Sequence, residues 1–154
     1  MVKLYKKILL GMDKSDDAFH AAKKAIEFQK MENCTVVAFH SVLHHLSEMN
    51  PNPFSPTGVS VGISYSLHND YIKRGEYILS EVEKLFKESN EEVETRLIFD
   101  IPPEDYVKKM VDEEGFDLII LGCKGHHSKL SRVFLGTVPI KVINNVSSDV
   151  LIVR

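Results

Sequence analysis

Two hydrophobic patterns alternate along the chain: short continuous apolar runs, and stripes of apolar residues spaced three or four apart. Tyr5 to Met12 (YKKILLGM) holds an apolar run that closes at Gly11 and predicts a strand. Ser15, a residue type that caps helix N-termini, then precedes Ala18, Ala21, Ala22, Ala25 and Ile26 at helical spacing. Thr35 to Val42 (TVVAFHSV) is rich in residues that favour strands. A second helix is expected from about Asn69 to Ser89, with an apolar stripe of Tyr71, Ile72, Ile78, Leu79, Val82, Leu85 and Phe86. Glu92 to Phe99 reads as a strand. Pro102-Pro103 then start a helix carrying Val107, Met110 and Val111, and Gly115 ends it. Leu118 to Leu121 is continuously apolar, as expected of a parallel strand covered on both faces. A helix from about Thr137 to Asn145 and a strand from Asp149 to Arg154 complete the pattern.

Strand and helix alternate throughout, and connections of this length need right-handed crossovers onto one parallel sheet. The expected class is a doubly wound α/β fold with helices on both faces, in a single domain spanning residues 1–154. Ligands of such sheets bind outside the carboxyl ends of the strands, where strand order reverses. Asp13, Ser41 and Gly122 fall at that edge. Between His44 and His68 lie Pro51, Pro53, Pro56, Gly58 and Gly62, so this stretch reads as a long loop or lid.

Composition narrows the partners. A hydrophobic content of 44% with 27% charged residues is that of an ordinary globular domain. The formal charge of -3 argues against nucleic acid, whose binders carry a strongly basic face. No apolar run approaches the roughly 18 to 20 residues needed to span a bilayer, and the first residues lead into a strand rather than a signal peptide. A cytoplasmic location is expected. Cys34 and Cys123 lack metal-finger or redox-pair spacing and read as buried thiols.

The chemistry concentrates after the fourth strand. Gly122, Gly125 and Gly136 lack side chains where backbone N–H groups could approach an anion. The helix starting at Thr137 adds the positive end of its dipole. From Leu118 to Ser148 there is no acidic residue, while Lys124, Lys129, Arg132 and Lys141 are basic. Two readings fit: a phosphate cradle, or a tight turn with close helix packing. Asp13 likewise fits either an acceptor for ribose hydroxyls or an acid at a helix N-terminus, the role that Asp16 and Asp17 suit better. The pairs His44-His45 and His126-His127 have no metal-ligand spacing, and no protein-built metal site is expected. His40 reads as a satisfied core residue.

Four segments carry a resemblance: D-x-S-x-x-A at Asp13, Ser15 and Ala18; FHSV from Phe39 to Val42; IPPEDYVKKMVDEEGFDLIILG from Ile101; and G-x-x-G followed by G-T, closing with VLIV. With them the chain resembles the universal stress protein family, in its adenine-nucleotide-binding branch, over essentially its whole length. The resemblance implies a Rossmann-like five-stranded parallel sheet of order 3-2-1-4-5 and a homodimer formed through the last strand. It implies that Asp13 faces the ribose and that the backbone around Ser41 reads the adenine edge. Gly122, Cys123, Gly125, Gly136, Thr137 and Val138 would cradle the phosphates of ATP or AMP, with Mg²⁺ or Mn²⁺ coordinated mainly by those phosphates. The implied role is regulatory, in a stress response and through a protein partner that the sequence does not identify. The chain departs from the family pattern in having ten residues between Gly125 and Gly136 rather than nine. Other departures are Asp100 in place of a glycine, Asp149 in place of a common proline, and Gly11-Met12 in place of a proline-containing turn. No general base beyond Asp13 is visible, so at most slow ATP hydrolysis is expected. The alternative is a structural dimer whose site the extra residue has closed.

Overall fold

The computed structural model describes residues 2–43, 59–124 and 135–154, with side chains at all of these except 59–67. In chain order the strands are β1 (Lys7–Gly11), β2 (Thr35–Val42), β3 (Glu94–Phe99), β4 (Leu118–Gly122) and β5 (Asp149–Val153). The helices between them are α1 (Asp16–Glu32), α2 (Val59–Glu88), α3 (Pro103–Glu114) and α4 (Thr137–Asn145). The strands form one sheet, all neighbours parallel, in the order β3-β2-β1-β4-β5. This is the doubly wound order expected above, and strand order reverses between β1 and β4.

The continuous apolar runs are explained by burial on both faces. Successive side chains of a strand point to opposite sides. Ile8, Leu10, Val36, Ala38, Leu118 and Ile120 pack with the alanine face of α1 and with Ile78, Val82 and Phe86 of α2. Leu9, Val37, Phe39, Ile119 and Leu121 pack instead with Tyr106, Val107 and Met110 of α3 and Val142 of α4. Local chemistry sets the helix ends. The Ser15 hydroxyl accepts the N–H of Ala18 at 3.1 Å at the start of α1. Gly115 follows α3 at φ +67°, where its N–H reaches the Val111 carbonyl at 3.2 Å. Asp100, where the family pattern carries glycine, has φ +61°. That left-handed backbone accounts for the glycine preference, and Asp is among the residues that tolerate it.

One expectation is corrected. Helix α2 starts at Val59, ten residues before the expected Asn69, so the C-terminal part of the supposed loop is helical. No proline lies between Pro56 and Pro102. Gly62 costs a helix only about 1 kcal/mol, which the remainder of a 30-residue helix packed on the sheet outweighs. Residues 44–58, with the His44-His45 pair and the prolines, lie outside the described residues.

An ion pair ties edge strand β3 to α3. Arg96 meets the Glu114 carboxylate in two parallel bonds, of 2.9 Å and 3.1 Å. The Arg96 guanidinium, and secondarily Lys7 at 3.3 Å, hold the Glu114 carboxyl below its ordinary range although partial burial opposes them. A depressed carboxyl adds stability above the unfolded-state value and loses it as pH falls through the folded one. Glu114→Gln is therefore expected to lower the melting temperature at neutral pH. The gap to the parent protein should close as pH falls below about 4, which thermal melts across pH would read. A gap constant with pH would refute the assignment.

Candidate functional site

The exits of β1, β2 and β4 meet at the carboxyl edge of the sheet, and short-range bonds fix each one. The Met12 N–H donates to the Phe39 carbonyl at 2.8 Å, and the Met12 carbonyl accepts Nδ1–H of His40 at 2.8 Å. His40 is thus satisfied, as expected, but it is half-buried on the cavity wall rather than in the core. Asp13 follows directly. Its Oδ1 accepts the Ser15 N–H at 2.8 Å and also the Ser15 hydroxyl, while Oδ2 makes no bond within the described residues. The Ser41 hydroxyl donates to the Ile101 carbonyl, and the Val42 carbonyl accepts the Asp100 N–H at 2.9 Å. The end of β2 is thereby bound to the loop that leads into α3.

The glycine segment divides its roles. A Cβ on Gly122 would lie 2.7 Å from the Ala18 nitrogen and 2.8 Å from the Asp17 carbonyl carbon. Glycine is needed there because the N-terminus of α1 presses against the end of β4. Cys123 is fully buried, and its N–H donates to the Val153 carbonyl at 2.7 Å. The Cys123 carbonyl accepts the Gly136 N–H at 2.8 Å, so the chain returns to its starting point before α4 begins. The Lys124 N–H donates to Asp17 Oδ2 at 3.2 Å. Amides 123, 124 and 136 are therefore engaged within the protein, and these residues shape the rim. Thr137 and Val138 occupy the first turn of α4, where N–H groups have no carbonyl within the helix to meet; Pro139 has no N–H. Gly125, His126-His127, Lys129, Arg132 and the extra residue of the loop lie outside the described residues.

These exits enclose a cavity of about 660 Å³, within the ordinary range for small-molecule sites. Of the expected site residues, Asp13, Ser41, Gly122, Gly136, Thr137 and Val138 line it together; Cys123 lies beneath the rim rather than on the wall. The charged residues of the described wall are Asp13, Lys14, Arg74 and Lys124, three cations to one carboxylate. Apolar surface comes from Met12, Phe39, Val42, Leu43 and Ile78.

Sequence reading missed the contribution of α2. Tyr71, Arg74 and Ile78 share one helical face and line the cavity, with the Arg74 guanidinium 5.9 Å from the centre of the Tyr71 ring. The spacing was visible, but it was indistinguishable from a core stripe. Gly75 carries the missing information. A Cβ there would lie 2.7 Å from Leu97 Cδ1 and 2.9 Å from His40 Cδ2, so glycine lets α2 settle closely over β2 and β3. Among the described residues, no three His, Cys, Asp or Glu side chains converge to hold a metal, and no helix is long and apolar enough to cross a membrane.

The model of the universal stress protein family matches residues 4–154. A universal stress protein of Methanocaldococcus jannaschii is 31% identical over 152 residues, covering 98% of this chain and 83% of that protein. Among solved structures, the universal stress protein UspA from Lactobacillus plantarum superposes with a TM-score of 0.78 at 20% identity, over 97% of this chain and 98% of that one. A universal stress protein from Archaeoglobus fulgidus, solved in complex with dAMP, gives a TM-score of 0.67 at 20% identity over 98% and 99% of the two chains.

Proposed function

Since the chain belongs to the universal stress protein family, we propose that it is a regulatory module of the adenine-nucleotide-binding branch, taking ATP or AMP. The observation that carries this reading is the cavity at the switch point between β1 and β4. Its wall joins Asp13 to the N-terminus of α4 and holds three cations against one carboxylate. Asp13 Oδ2 supplies an acceptor for ribose hydroxyls, as charged oxygen suits paired hydroxyl donors. The first-turn amides of Thr137 and Val138, with the Lys124 side chain, favour phosphate. The apolar surface of Met12, Val42 and Ile78 suits a purine face. The relative bound to dAMP supports the same ligand class. Mg²⁺ or Mn²⁺ would enter with the phosphates, supplying charge neutralisation there. Gly125 is assigned to the cradle on its sequence pattern alone.

The reading extends to a cytoplasmic stress-response protein that works by binding rather than turnover, as a homodimer through β5. That strand is a sheet edge, and Ile140 and Ile143 of the adjoining α4 are exposed. Mass spectrometry of the gently purified protein should detect an adenine nucleotide. ATP at a hundred times its Kd should add about 2.7 kcal/mol of stability, raising the melting temperature by roughly 5–10 °C for a domain of this size. No copurifying nucleotide, together with no shift at millimolar ATP, would sink the proposal. One observation favours a second reading, a partner-binding dimer without nucleotide: three rim amides are engaged inside the protein. The same melts distinguish the two.

A further inference from the structure

We propose that Asp17 is a positioning residue for the phosphate end of this cavity, acting through Lys124; the inference rests on the nucleotide reading above. Asp17 sits in the first turn of α1, where the sequence alone suggests only a helix-dipole acid. The structure gives it a second task. Its Oδ2 accepts the Lys124 N–H at 3.2 Å, across 107 positions of sequence. The missing side chain of Gly122 makes this reach possible, since any Cβ there would strike the backbone of Asp17 and Ala18. Asp17 is not part of the cavity wall, whereas Lys124 is. The carboxylate therefore holds the Lys124 backbone from outside the wall that Lys124 lines.

Two other bonds fix the same turn. Cys123 N–H is tied to Val153, and Gly136 N–H to Cys123. Lys124 is where the glycine segment has left β4, and Asp17 ties its amide. The tether joins the start of the glycine loop to the helix that follows Asp13. One end of the ligand's ribose contact and one end of its phosphate contact then share a single rigid element. A ligand with phosphates should sense the loss of this tether, and one without phosphates should not.

The test compares the parent protein with Asp17→Ala and Asp17→Asn, measuring Kd for ATP and for adenosine by calorimetry and the exchange rate of the Lys124 amide by NMR. Asparagine keeps an acceptor oxygen for the Lys124 N–H, and alanine does not. Asp17→Ala is expected to bind ATP roughly tenfold more weakly, with adenosine affinity unchanged, and its Lys124 amide should exchange at least tenfold faster. Asp17→Asn should restore ATP affinity to within about threefold of the parent and slow the exchange again. A folded Asp17→Ala protein that binds ATP like the parent overturns the inference alone. So does an equal loss for ATP and adenosine, which marks a general structural role. A parent protein that binds no adenine nucleotide overturns the functional reading, and this inference with it, even if the exchange data still report the tether.

Discussion

Gly122→Val is expected to lower the melting temperature by about 5–10 °C and to abolish nucleotide binding, read by thermal melts and calorimetry. The cause is contact with backbone rather than with a flexible side chain. Any Cβ at position 122 lies within 3 Å of the Ala18 nitrogen and the Asp17 carbonyl carbon, so α1 or β4 must move as a whole. Overpacking of this kind costs about 1–3 kcal/mol, and each kcal/mol shifts the midpoint by about 2–4 °C in a protein of this size. The same displacement would separate Asp17 from the Lys124 amide and open the phosphate rim. Gly11 provides the control. Its nearest obstacle is Leu121 Cδ2 at 2.6 Å, the end of a side chain that can rotate, so Gly11→Ala should cost less. If Gly122→Val melts like the parent, the close approach of α1 to β4 is not what the position requires.

Asp13→Ala is expected to weaken adenine-nucleotide binding by roughly 10- to 100-fold, the worth of a hydrogen bond to a charged acceptor in a partly closed site. Asp13→Asn separates two contributions. The amide can still accept from Ser15 through one oxygen, so the turn before α1 persists, but the charge that favours ribose hydroxyls is gone. Asn should therefore retain the parent's stability while losing most of the affinity. Calorimetry with ATP and with inorganic triphosphate provides the check. Triphosphate carries no ribose, and its binding should hold or improve once the carboxylate is removed. Undiminished ATP affinity in Asp13→Ala would remove Asp13 from the site.

Much of the candidate site was legible because β-strand ends and helix starts are local features. Asp13, Ser41, Gly122 and Thr137 each sit at a boundary that hydrophobic pattern and capping residues mark, and parallel strands bring such boundaries to one edge. Gly122 is instructive, since its spacing fitted both an approach by phosphate and close helix packing, and the structure shows an approach by α1. A glycine records that something comes close without recording what. Tyr71 and Ile78 were read only as parts of an apolar stripe for a related reason, and Arg74 beside them went unnoticed. A residue lining a cavity and one filling a core have the same helical spacing, and only the packing of Gly75 on Leu97 and His40 decides where that face of α2 opens.

The sequence by itself determined the alternation of strands and helices, the burial of the sheet on both faces, and the caps at Ser15 and Gly115, because these follow from periodicity and from the chemistry of neighbouring residues. The extent of α2 escaped it. Propensity near Gly58 and Gly62 favours a loop, while packing against the sheet, which no local rule registers, favours helix. Only the tertiary structure decided which rim amides are already bonded and that Asp17 holds Lys124 from outside the cavity. Those pairings join residues up to 107 positions apart, and distances of that kind exist only once the chain has folded.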